Sequence, residues 1–427
     1  MKSKKDIRRV IVGCSHGGLA ALEQIHRLDP ERKTYILSRE KGLPYSPTSL
    51  VAFIGGEISL DKLSFRDWDY FGQMNAKFIP DQEVEEIDTV NKEIVCSDGM
   101  RIVFDQLLIA TGASPAIPPI DGIDHERVFT VRNLESAGNL QKLARSSKNC
   151  LIIGAGLIGM EIAAALSKRG LGVIVVELLG QVLPLYFDAD TSNIITAIYQ
   201  KNGVEILTNT KVINMEGTSR EIKVSLDTGR DITVDFAVVA TGVTPNIQFL
   251  QESDIGLGQG ILVNRHLETS KAGIYAVGDV AGGEGFFGEK IINPTVFNAA
   301  FQGKIAGNNM AGKREEFSGG LNMNIFNFFN NVAFSIGQFN GEASGEKVLK
   351  SIKAETPQAK KLVIKDNYLV GCMALNYPVE PGIFYQAIVK KWNPEDMVRL
   401  FEDDFVNGIR STFMKESQLE IKQRREE

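Results

Sequence analysis

The sequence is poor in cysteine, tryptophan and histidine, and neither sign of charge dominates. Its 427 residues include four cysteines, two tryptophans and four histidines, and 47 Lys and Arg stand against 53 Asp and Glu, a net charge of −6. Such a balance leaves no electrostatic footprint for nucleic acid. Cys14, Cys96, Cys150 and Cys372 form no CxxC pair and no metal-ligand spacing. We therefore predict reduced thiols in a cytoplasmic protein with no metal site.

Long hydrophobic runs are missing as well. The apolar run from Val10 breaks at Gly13 without a small-residue cleavage site, which is not the pattern of a signal peptide. The longest uncharged stretch, residues 317–341, contains six asparagines, which a lipid-facing helix does not tolerate. We expect no membrane insertion. The 43% hydrophobic and 23% charged residues are typical of a soluble globular protein, whose length suggests about three domains.

Glycine is in excess: 41 of the 427 residues are glycine, more than the usual share of ~7%. A first cluster, Gly13-Cys14-Ser15-His16-Gly17-Gly18, follows a short β-branched run and precedes helical spacing. A second extended run, residues 34–38, then leads to Glu40. This order of strand, turn, helix, strand and acid is that of a dinucleotide-binding unit, in which backbone approaches the pyrophosphate. Ser15 replaces the middle glycine and still leaves room for phosphate; a packing-only role for this cluster is the alternative.

A second cluster matches the same pattern completely. Residues 150–153 lead into Gly154-Ala155-Gly156-Leu157-Ile158-Gly159, a helical pattern follows, and the run 172–176 ends at Glu177. The helix N-terminus would supply free N–H groups and a positive dipole end to a pyrophosphate. An acid at position 177, with no Arg or Lys in the next four residues, favours a free ribose 2′-hydroxyl. The prediction is therefore NADH in preference to NADPH.

Three further motifs identify a family. Thr111-Gly112 and Thr241-Gly242 end two nearly repeated segments, and Gly278-Asp279 ends a third strand-like run. With the two glycine clusters in this order, residues 8–312 resemble the FAD- and NAD(P)-dependent pyridine nucleotide–disulfide oxidoreductase superfamily. The resemblance implies an α/β protein with two Rossmann-like dinucleotide-binding domains and a C-terminal α+β interface domain. The implied boundaries are 1–119 and 246–314 for a split FAD-binding domain, 120–245 for an inserted NAD-binding domain, and 315–427 for the interface domain.

The resemblance also implies site residues for FAD and NAD(H). Those matching the family's FAD site lie in the first cluster, after the strands and at the start of a later helix: Gly13, Ser15, His16, Gly17, Gly18, Glu40, Pro44, Thr111, Gly112, Gly278, Asp279, Thr295 and Val296. Those matching the NAD site are Gly154, Gly156, Leu157, Ile158, Gly159, Glu177 and Gly242. Glu161 matches a glutamate that helps to place the nicotinamide, with a solvated helix face as the alternative. Glu161 and Pro44 are therefore the expected catalytic positions.

One departure from the family argues against two of its activities, disulfide reduction and the cysteine-dependent peroxidase reaction. Disulfide reductases carry a redox-active CxxxxC pair, and NADH peroxidases and oxidases use one cysteine about ten residues after the first acid. Residues 41–52 contain no cysteine, and Thr48 lies about where the peroxidase-type cysteine would fall. A hydroxyl cannot cycle through thiolate and sulfenic acid. His16 resembles the histidine beside that cysteine. Without the cysteine it either packs against the flavin or binds backbone, or else it tunes the flavin or supplies protons to it; Cys14 is expected to be a small buried residue.

The remaining function is electron transfer without a disulfide. Residues 43–47 resemble rubredoxin and ferredoxin reductases, although Ala52 replaces the lysine of that branch. The chain also resembles flavoprotein subunits of iron–sulfur oxidoreductases such as phenylglyoxylate dehydrogenases. We predict an enzyme that passes electrons between NAD(H) and an iron–sulfur carrier or partner subunit, as a homodimer or part of a hetero-oligomer. The alternatives are an NADH oxidase that reduces O₂ and a non-enzymatic flavoprotein redox sensor.

The C-terminal third has no glycine fingerprint. Residues 324–329 and 332–336 are predicted strands, and residues 361–373 a hairpin that turns at Asp366-Asn367. Residues 313–316 are a predicted linker, residues 387–413 a predicted helical stretch, and residues 415–427 a charged tail. This part resembles the interface domain of the superfamily.

Overall fold

The chain divides into two compact units that interleave along the sequence. A computed structural model describes residues 7–341, 344–377 and 380–392. The first unit combines the described residues up to Ala116 with Val131–Gln141 and Gly242–Leu321. The second combines Ile117–Thr130, Lys142–Thr241 and the described residues from Asn322 onward. The four-segment domain division given above remains a prediction.

Eight α-helices occur in the described residues. They are α1 (His16–Leu28), α2 (Ser49–Gly55), α3 (Trp68–Gln73), α4 (Leu134–Ala144), α5 (Leu157–Lys168), α6 (Ala189–Lys201), α7 (Val296–Met310) and α8 (Pro381–Val389). Three 3₁₀ turns cover Leu60–Lys62, Gln248–Leu250 and Gly278–Val280.

The first unit is built on a parallel five-stranded sheet. In spatial order its strands are Ile274–Ala276, Gln106–Ile109, Arg9–Val12, Thr34–Leu37 and Ala76–Ile79. The central strand is buried along its whole length, as expected for a parallel sheet covered on both faces. Smaller sheets add Val84–Asp88 with Glu93–Cys96 and Arg101–Val103, Val243–Pro245 with Ala113–Pro115, and Ile261–Leu262 with Ala281–Glu284 and Lys290–Ile291.

Helices α1 and α7 pack closely in this unit because glycines remove side chains from their contact. A methyl group on Gly303 would overlap the backbone of Gly17, and one on Gly307 would approach the backbone of Ala21. The two helices therefore approach backbone to backbone, and the first glycine cluster contributes to this packing as well as to the turn.

The second unit contains a parallel sheet of the same kind. Its strands, in spatial order, are Val204–Leu207, Gly172–Val176, Asn149–Ile153, Phe236–Val239 and Val128–Thr130. An antiparallel sheet of Val212–Gly217, Ile222–Leu226 and Asp231–Val234 packs beside it, so that Met215, Ile222 and Val239 share one core. Two parallel sheets, each with a glycine turn after its central strand, confirm the predicted pair of Rossmann-like folds.

The C-terminal part of the second unit is an antiparallel five-stranded sheet. Its spatial order is Met323–Phe328, Asn331–Gly337, Tyr368–Leu375, Gln358–Lys365 and Lys347–Lys353. The predicted strands and hairpin are confirmed, and Asp366 and Asn367 turn the hairpin with φ of 49° and 64°. Asn and Asp tolerate this left-handed backbone better than other residues with a side chain.

Two local predictions in this region need correction. The helix α8 begins at Pro381, six residues before the predicted start, because proline fits the first turn of a helix, and it ends at Val389 before the left-handed Lys391. The rest of the predicted helical stretch and the charged tail lie outside the described residues. Residues 313–316 are bound to α7 rather than free, since the backbone N–H of Glu315 donates to Asn309 at 2.7 Å.

Candidate functional site

The first glycine turn leaves the N-terminus of α1 without a side-chain cap. Gly13 follows the central strand with φ of 113°, and a methyl group on it would overlap the carbonyl oxygen of Ala110. A methyl group on Gly18 would overlap the carbonyl of Gly13. Ser15 is the N-cap residue in extended conformation, yet its side chain makes no capping hydrogen bond. The first N–H groups of α1 are thus available to an anion such as a pyrophosphate.

Glu40, the acid after the second strand, is fixed by Tyr45. The phenol of Tyr45 donates to Oε2 of Glu40 at 2.7 Å, and its oxygen accepts the backbone N–H of Leu134 at 3.0 Å. Burial and the neighbouring Glu40 carboxylate raise the pKa of Tyr45, so the phenol keeps its proton. The carboxylate is therefore held in one orientation at the carboxyl edge of the sheet, where ligands bind in such folds.

The other predicted FAD residues of the first unit follow the neighbouring strands at the same edge. Thr111 donates through Oγ1 to the carbonyl of Asn246 at 3.1 Å, and the Asn246 amide donates to the Thr111 carbonyl at 2.8 Å. Gly112 and Gly278 adopt φ of 67° and 75°. The sheet thus brings together residues that lie more than 260 positions apart in the sequence.

Arg132 lies near three of the predicted site residues, Gly112, Asp279 and Glu40, and sequence analysis did not indicate it. A methyl group on Gly112 would lie 2.9 Å from Nη2 of Arg132. Burial lowers the pKa of Arg132, while the nearby Asp279 and Glu40 favour its charge. Burial likewise raises the pKa of Asp279, and Arg132 opposes that shift. A half-buried cation near Glu40 and Asp279 is complementary to the charge of a dinucleotide, and no local motif around position 132 indicated it.

Helix α7 begins at the predicted Thr295 and Val296. The hydroxyl of Thr295 accepts the backbone N–H of Asn298 at 3.2 Å and caps the helix, and Val296 is its first residue. Both side chains are half-buried. The backbone N–H of Gly278 donates to the side-chain oxygen of Gln302 at 2.7 Å, which ties the loop after the Ile274–Ala276 strand to α7.

The second glycine turn repeats the first in the second unit. Gly154 has φ of 102°, and a methyl group on it would contact the carbonyl carbon of Ala240 at 2.9 Å, while one on Gly159 would overlap Gly154. Gly156 is the N-cap of α5, makes no side-chain cap and has open space where a Cβ would stand. Leu157 and Ile158 form the first turn of the helix, and Ile158 is exposed.

Glu177 already binds the glycine turn. Its carboxylate accepts the backbone N–H of Ala155 at 2.7 Å and that of Leu179 at 2.8 Å, and the residue is buried. The side chain of Leu178 is 63% exposed beside it. The backbone N–H groups of Ala155 and Leu179 therefore orient the carboxylate of Glu177. The neighbouring residue is Leu178 rather than a cation that could bind a 2′-phosphate.

Glu161 lies on α5, and its side chain is half-buried. Burial raises the pKa of Glu161 to about 7. The charge of Glu161 in turn helps to raise the pKa of the buried Tyr199 hydroxyl. The Tyr199 hydroxyl donates to the carbonyl of Met160 at 2.9 Å, so it leaves the carboxyl group of Glu161 uncompensated. A half-buried carboxyl group whose pKa is raised towards neutral pH is a common feature of functional sites.

No thiol is available where the family relay would be. All four cysteines are free and buried, and burial raises the pKa of Cys14 far above the physiological range, with Glu40 adding to the effect. Pro44 is buried, and its carbonyl accepts the N–H of Phe65 at 3.2 Å. Ser46 and Thr48 present hydroxyl groups in this segment.

The described residues contain neither a metal cluster nor a membrane-spanning helix. No group of three or more His, Cys, Asp or Glu residues in residues 7–341, 344–377 and 380–392 could hold a metal ion. Within the same ranges no helix is long and apolar enough to cross a bilayer.

Both turns therefore fit a dinucleotide: each has an uncapped helix N-terminus and an acid fixed after the next strand, and a half-buried arginine lies near the acid that follows the first turn. Gly242, the remaining predicted position, has φ of 126°, and the space that a Cβ would occupy is open. Comparison with known proteins agrees with this geometry. The family model for pyridine nucleotide-disulphide oxidoreductases matches residues 7–303.

Individual relatives point the same way. The chain is 32% identical over 385 residues to subunit epsilon of the NADH-dependent phenylglyoxylate dehydrogenase of Aromatoleum evansii, which covers 90% of this chain and 91% of that subunit. It is 34% identical over 326 residues to an NADH oxidase of Methanocaldococcus jannaschii, over 74% and 72% of the two chains.

A ferredoxin reductase of Rhodopseudomonas palustris has the same fold, with a TM-score of 0.85 at 23% identity over 92% of this chain and 97% of that one. The predicted fold, the predicted cofactors FAD and NAD(H), and the predicted enzyme class are thereby confirmed. The chain belongs to the pyridine nucleotide–disulphide oxidoreductase family and is an FAD-dependent oxidoreductase of NAD(H).

Proposed function

We propose that this enzyme exchanges electrons between NAD(H) and an external iron–sulfur protein or partner subunit. The observation that carries the proposal is the lack of a thiol relay: hydroxyl groups replace cysteine in residues 41–52, and burial raises the pKa of the nearby Cys14 so that it stays protonated. Electrons that reach the flavin then have no protein thiol to leave by. They must pass directly to an acceptor outside this chain.

The residue assignments form part of the proposal. In the first unit, the α1 N-terminus and Arg132 would hold the FAD pyrophosphate, and Glu40, oriented by Tyr45, would bind its adenosine ribose. Asp279 and the start of α7 at Val296 would hold the rest of the cofactor. In the second unit, the α5 N-terminus and Glu177 would hold NAD(H), and Glu161 would contact its nicotinamide.

The chemistry of the reaction resides in the cofactor. FAD, when bound, would supply the redox chemistry, since a flavin can take up a hydride from NADH and give up its electrons one at a time. The contribution of the protein is placement: two uncapped helix N-termini bind phosphates, and two fixed carboxylates bind riboses. None of these groups forms a covalent bond during the reaction.

The similarity to subunit epsilon of an NADH-dependent phenylglyoxylate dehydrogenase supports a role as one subunit of a larger complex. The similarity to an NADH oxidase favours a second candidate, direct reduction of O₂. The two candidates differ in what limits turnover. A carrier-coupled enzyme turns over slowly in air and fast with an iron–sulfur protein, whereas an oxidase needs only O₂.

The test compares acceptors after one anaerobic reduction by NADH. The purified protein should be yellow, should bleach with one equivalent of NADH, and should reoxidise faster with a [2Fe–2S] ferredoxin or rubredoxin than with air-saturated buffer. Fast NADH consumption in air without a carrier would instead establish the oxidase. Failure to bind FAD or to bleach with NADH would contradict the residue assignments themselves.

A further inference from the structure

Three side chains of the first unit form a continuous chain of hydrogen bonds. Nε2 of His16 lies 3.0 Å from Oγ of Ser46, and that oxygen lies 2.9 Å from Oγ1 of Thr48. His16 belongs to the glycine turn proposed to bind FAD and is half-buried, whereas Thr48 is exposed. The chain therefore runs from solvent to the cofactor turn through the segment in which relatives carry their redox cysteine.

Local backbone structure does not account for these hydroxyl groups. Thr48 is at the N-cap position of α2, where a threonine side chain usually accepts a backbone N–H, but it makes no capping hydrogen bond. The turn is closed instead by the carbonyl of Ser46, which accepts the N–H of Ser49 at 2.9 Å. Both side chains are free to bond to each other and to His16.

The imidazole of His16 is held in a fixed plane. It stacks on Phe65 at 5.2 Å between ring centroids with an interplanar angle of 9°. Ser46 bonds to Nε2, and the other ring nitrogen, Nδ1, has no hydrogen-bond partner among the described residues. One nitrogen thus faces the hydroxyl chain, and the second makes no hydrogen bond within the part of the chain that the structure describes.

The charges around His16 favour a neutral ring. Burial lowers its pKa, and the guanidinium of Arg66, which lies 5.2 Å from the Phe65 ring, acts in the same direction. Arg66 is paired with Glu23 at 2.8 Å, and the Tyr70 hydroxyl donates to the same carboxylate. A neutral imidazole has one donor and one acceptor nitrogen, so it can take up a proton on one side and release one on the other.

We infer that Thr48, Ser46 and His16 form a proton path between solvent and FAD bound at the first glycine turn. Reduction of FAD to FADH₂ by NADH takes up two electrons and two protons: the hydride brings both electrons and one proton, and the second proton comes from water along this path. When the two electrons leave singly for the carrier, both protons must return to water. The inference rests on the proposed FAD site, and it replaces thiol chemistry in this segment with proton transfer.

The kinetic test uses ferricyanide, which accepts an electron without a proton. Protein reduced anaerobically by one equivalent of NADH is mixed with ferricyanide, and recovery of the flavin absorption is followed in H₂O and D₂O. The wild type should show a solvent isotope effect. Ser46→Ala and Thr48→Val should slow recovery by about a hundredfold, the low end of what a positioned proton-transfer group contributes, and added imidazole buffer should restore the rate.

A second readout does not depend on turnover. The four histidines allow the ¹⁵N signals of His16 to be assigned with a single His16→Gln variant. Titration of FAD into the apoprotein should shift the Nδ1 signal, and Ser46→Ala should shift Nε2 in the absence of FAD. Nδ1 unchanged by FAD would overturn the inference, because the path would then not reach the cofactor.

Controls separate the path from a structural role and from the FAD site itself. Ser46→Thr keeps a hydroxyl and should keep the wild-type rate, and Ser49→Ala removes a hydroxyl from the same segment without touching the chain. The proton path would be contradicted if added imidazole did not restore the slowed reoxidation by ferricyanide. It would also be contradicted if both Ser46→Ala and Thr48→Val reoxidised at the wild-type rate. The FAD content of every variant is measured first. A variant that loses FAD reports on the proposed FAD site, whereas a variant that retains FAD but reoxidises slowly reports on the proton path alone.

Discussion

The two glycine turns have nearly the same backbone and different side chains. Gly13 and Gly154 both have left-handed φ and both press against a backbone carbonyl of a neighbouring strand connection. Gly18 and Gly159 both abut the first glycine of their own turn. Between these fixed points, Ser15-His16-Gly17 in the first turn corresponds to Gly156-Leu157-Ile158 in the second.

The fixed acids also differ in how they are held. Glu40 accepts a hydrogen bond from the side chain of Tyr45, which comes five residues later, whereas Glu177 accepts backbone N–H groups of its own turn and of Leu179. Two residues after the third glycine, the first helix has Ala20 and the second has Glu161. The backbone is therefore common to the two proposed phosphate sites, and the side chains are what differ between the turn proposed to hold FAD and the turn proposed to hold NAD(H).

Alanine at the first glycine of each turn should give the largest effect and should separate the two sites. A left-handed backbone costs a residue with a Cβ about 1–3 kcal/mol, and the built methyl group also overlaps or contacts backbone atoms. We expect Gly13→Ala to purify without FAD, and Gly154→Ala to stay yellow but fail to bleach with NADH.

Flavin content by absorption and NADH affinity by calorimetry measure the two outcomes. Gly99→Ala and Gly170→Ala are matched controls, since both glycines have left-handed φ with nothing within 4 Å of a built Cβ. If these controls lose nucleotide binding as fully as the turn variants, backbone strain alone explains the loss and the close packing does not matter.

The acid of the second turn should decide between NADH and NADPH. In the proposed NAD(H) site the carboxylate of Glu177 would repel a 2′-phosphate, and the exposed Leu178 beside it supplies no cation to bind one. In the double variant Glu177→Ser with Leu178→Arg, removal of the repulsion and gain of an arginine–phosphate pair should each be worth about 1.4 kcal/mol. The ratio of kcat/KM for NADH to that for NADPH should therefore fall by about a hundredfold.

A matched control adds the same charge elsewhere in the second unit. Ile213→Arg places an arginine on an exposed strand position of the antiparallel sheet that contains Val212–Gly217. It should leave the cofactor preference unchanged. An equal shift in the control would mean that general charge, rather than the position after Glu177, sets the preference.

The contrast between the turns shows which parts of the site were predictable. Each glycine turn is a local pattern, because a strand, three spaced glycines and a helix lie within about 20 residues. The C-terminal hairpin was predictable for the same reason. Left-handed backbone and period-two alternation are properties of neighbouring residues, and they do not depend on the rest of the chain.

The groups that complete the first site were not predictable, because they come from distant segments. Tyr45 receives a hydrogen bond from Leu134, 89 residues away, and Asn246 accepts one from Ser114, 132 residues away. Arg132 lies beside Gly112 and Asp279 only after the sheet has formed. The surroundings of Glu161 were equally hidden, since Tyr199 belongs to α6 and the period of α5 alone does not show what covers its face.

Glu161 should make the stability of the protein depend on pH in a way that Ala20 cannot. Burial raises its pKa in the folded state from 4.5 to about 7, so folding favours the protonated form. The free energy of unfolding should fall as pH rises from about 4.5 to 7, because the folded state then has to give up the favoured proton. Glu161→Gln, which resembles the protonated acid, should be more stable than the wild type by about 1 kcal/mol at pH 8 and nearly equal to it at pH 4.5.

Urea unfolding at these two pH values measures the difference. Glu205→Gln is a useful reference on the same unit, because that carboxylate is exposed and paired with Arg230. Equal stability of Glu161→Gln and the wild type at both pH values would show that the carboxyl group is solvated and would return it to an ordinary helix face.

The smallest effect should come from Ser15→Gly, one half of an exchange of the middle residues of the two turns. Ser15 and Gly156 are the N-cap residues of their helices, and both have extended backbone that any residue adopts. Ser15→Gly and Gly156→Ser should therefore fold normally, and Gly156 has open space for a Cβ before nucleotide binds. Ser15→Gly should change the affinity for FAD by about threefold or less, because FAD loses only a flexible hydroxyl neighbour. Gly156→Ser should weaken the affinity for NADH by about tenfold, because the added side chain enters the space proposed for the pyrophosphate. Dissociation constants for FAD and NADH measure both, and equal losses in the two variants would mean that the turns are interchangeable at this position.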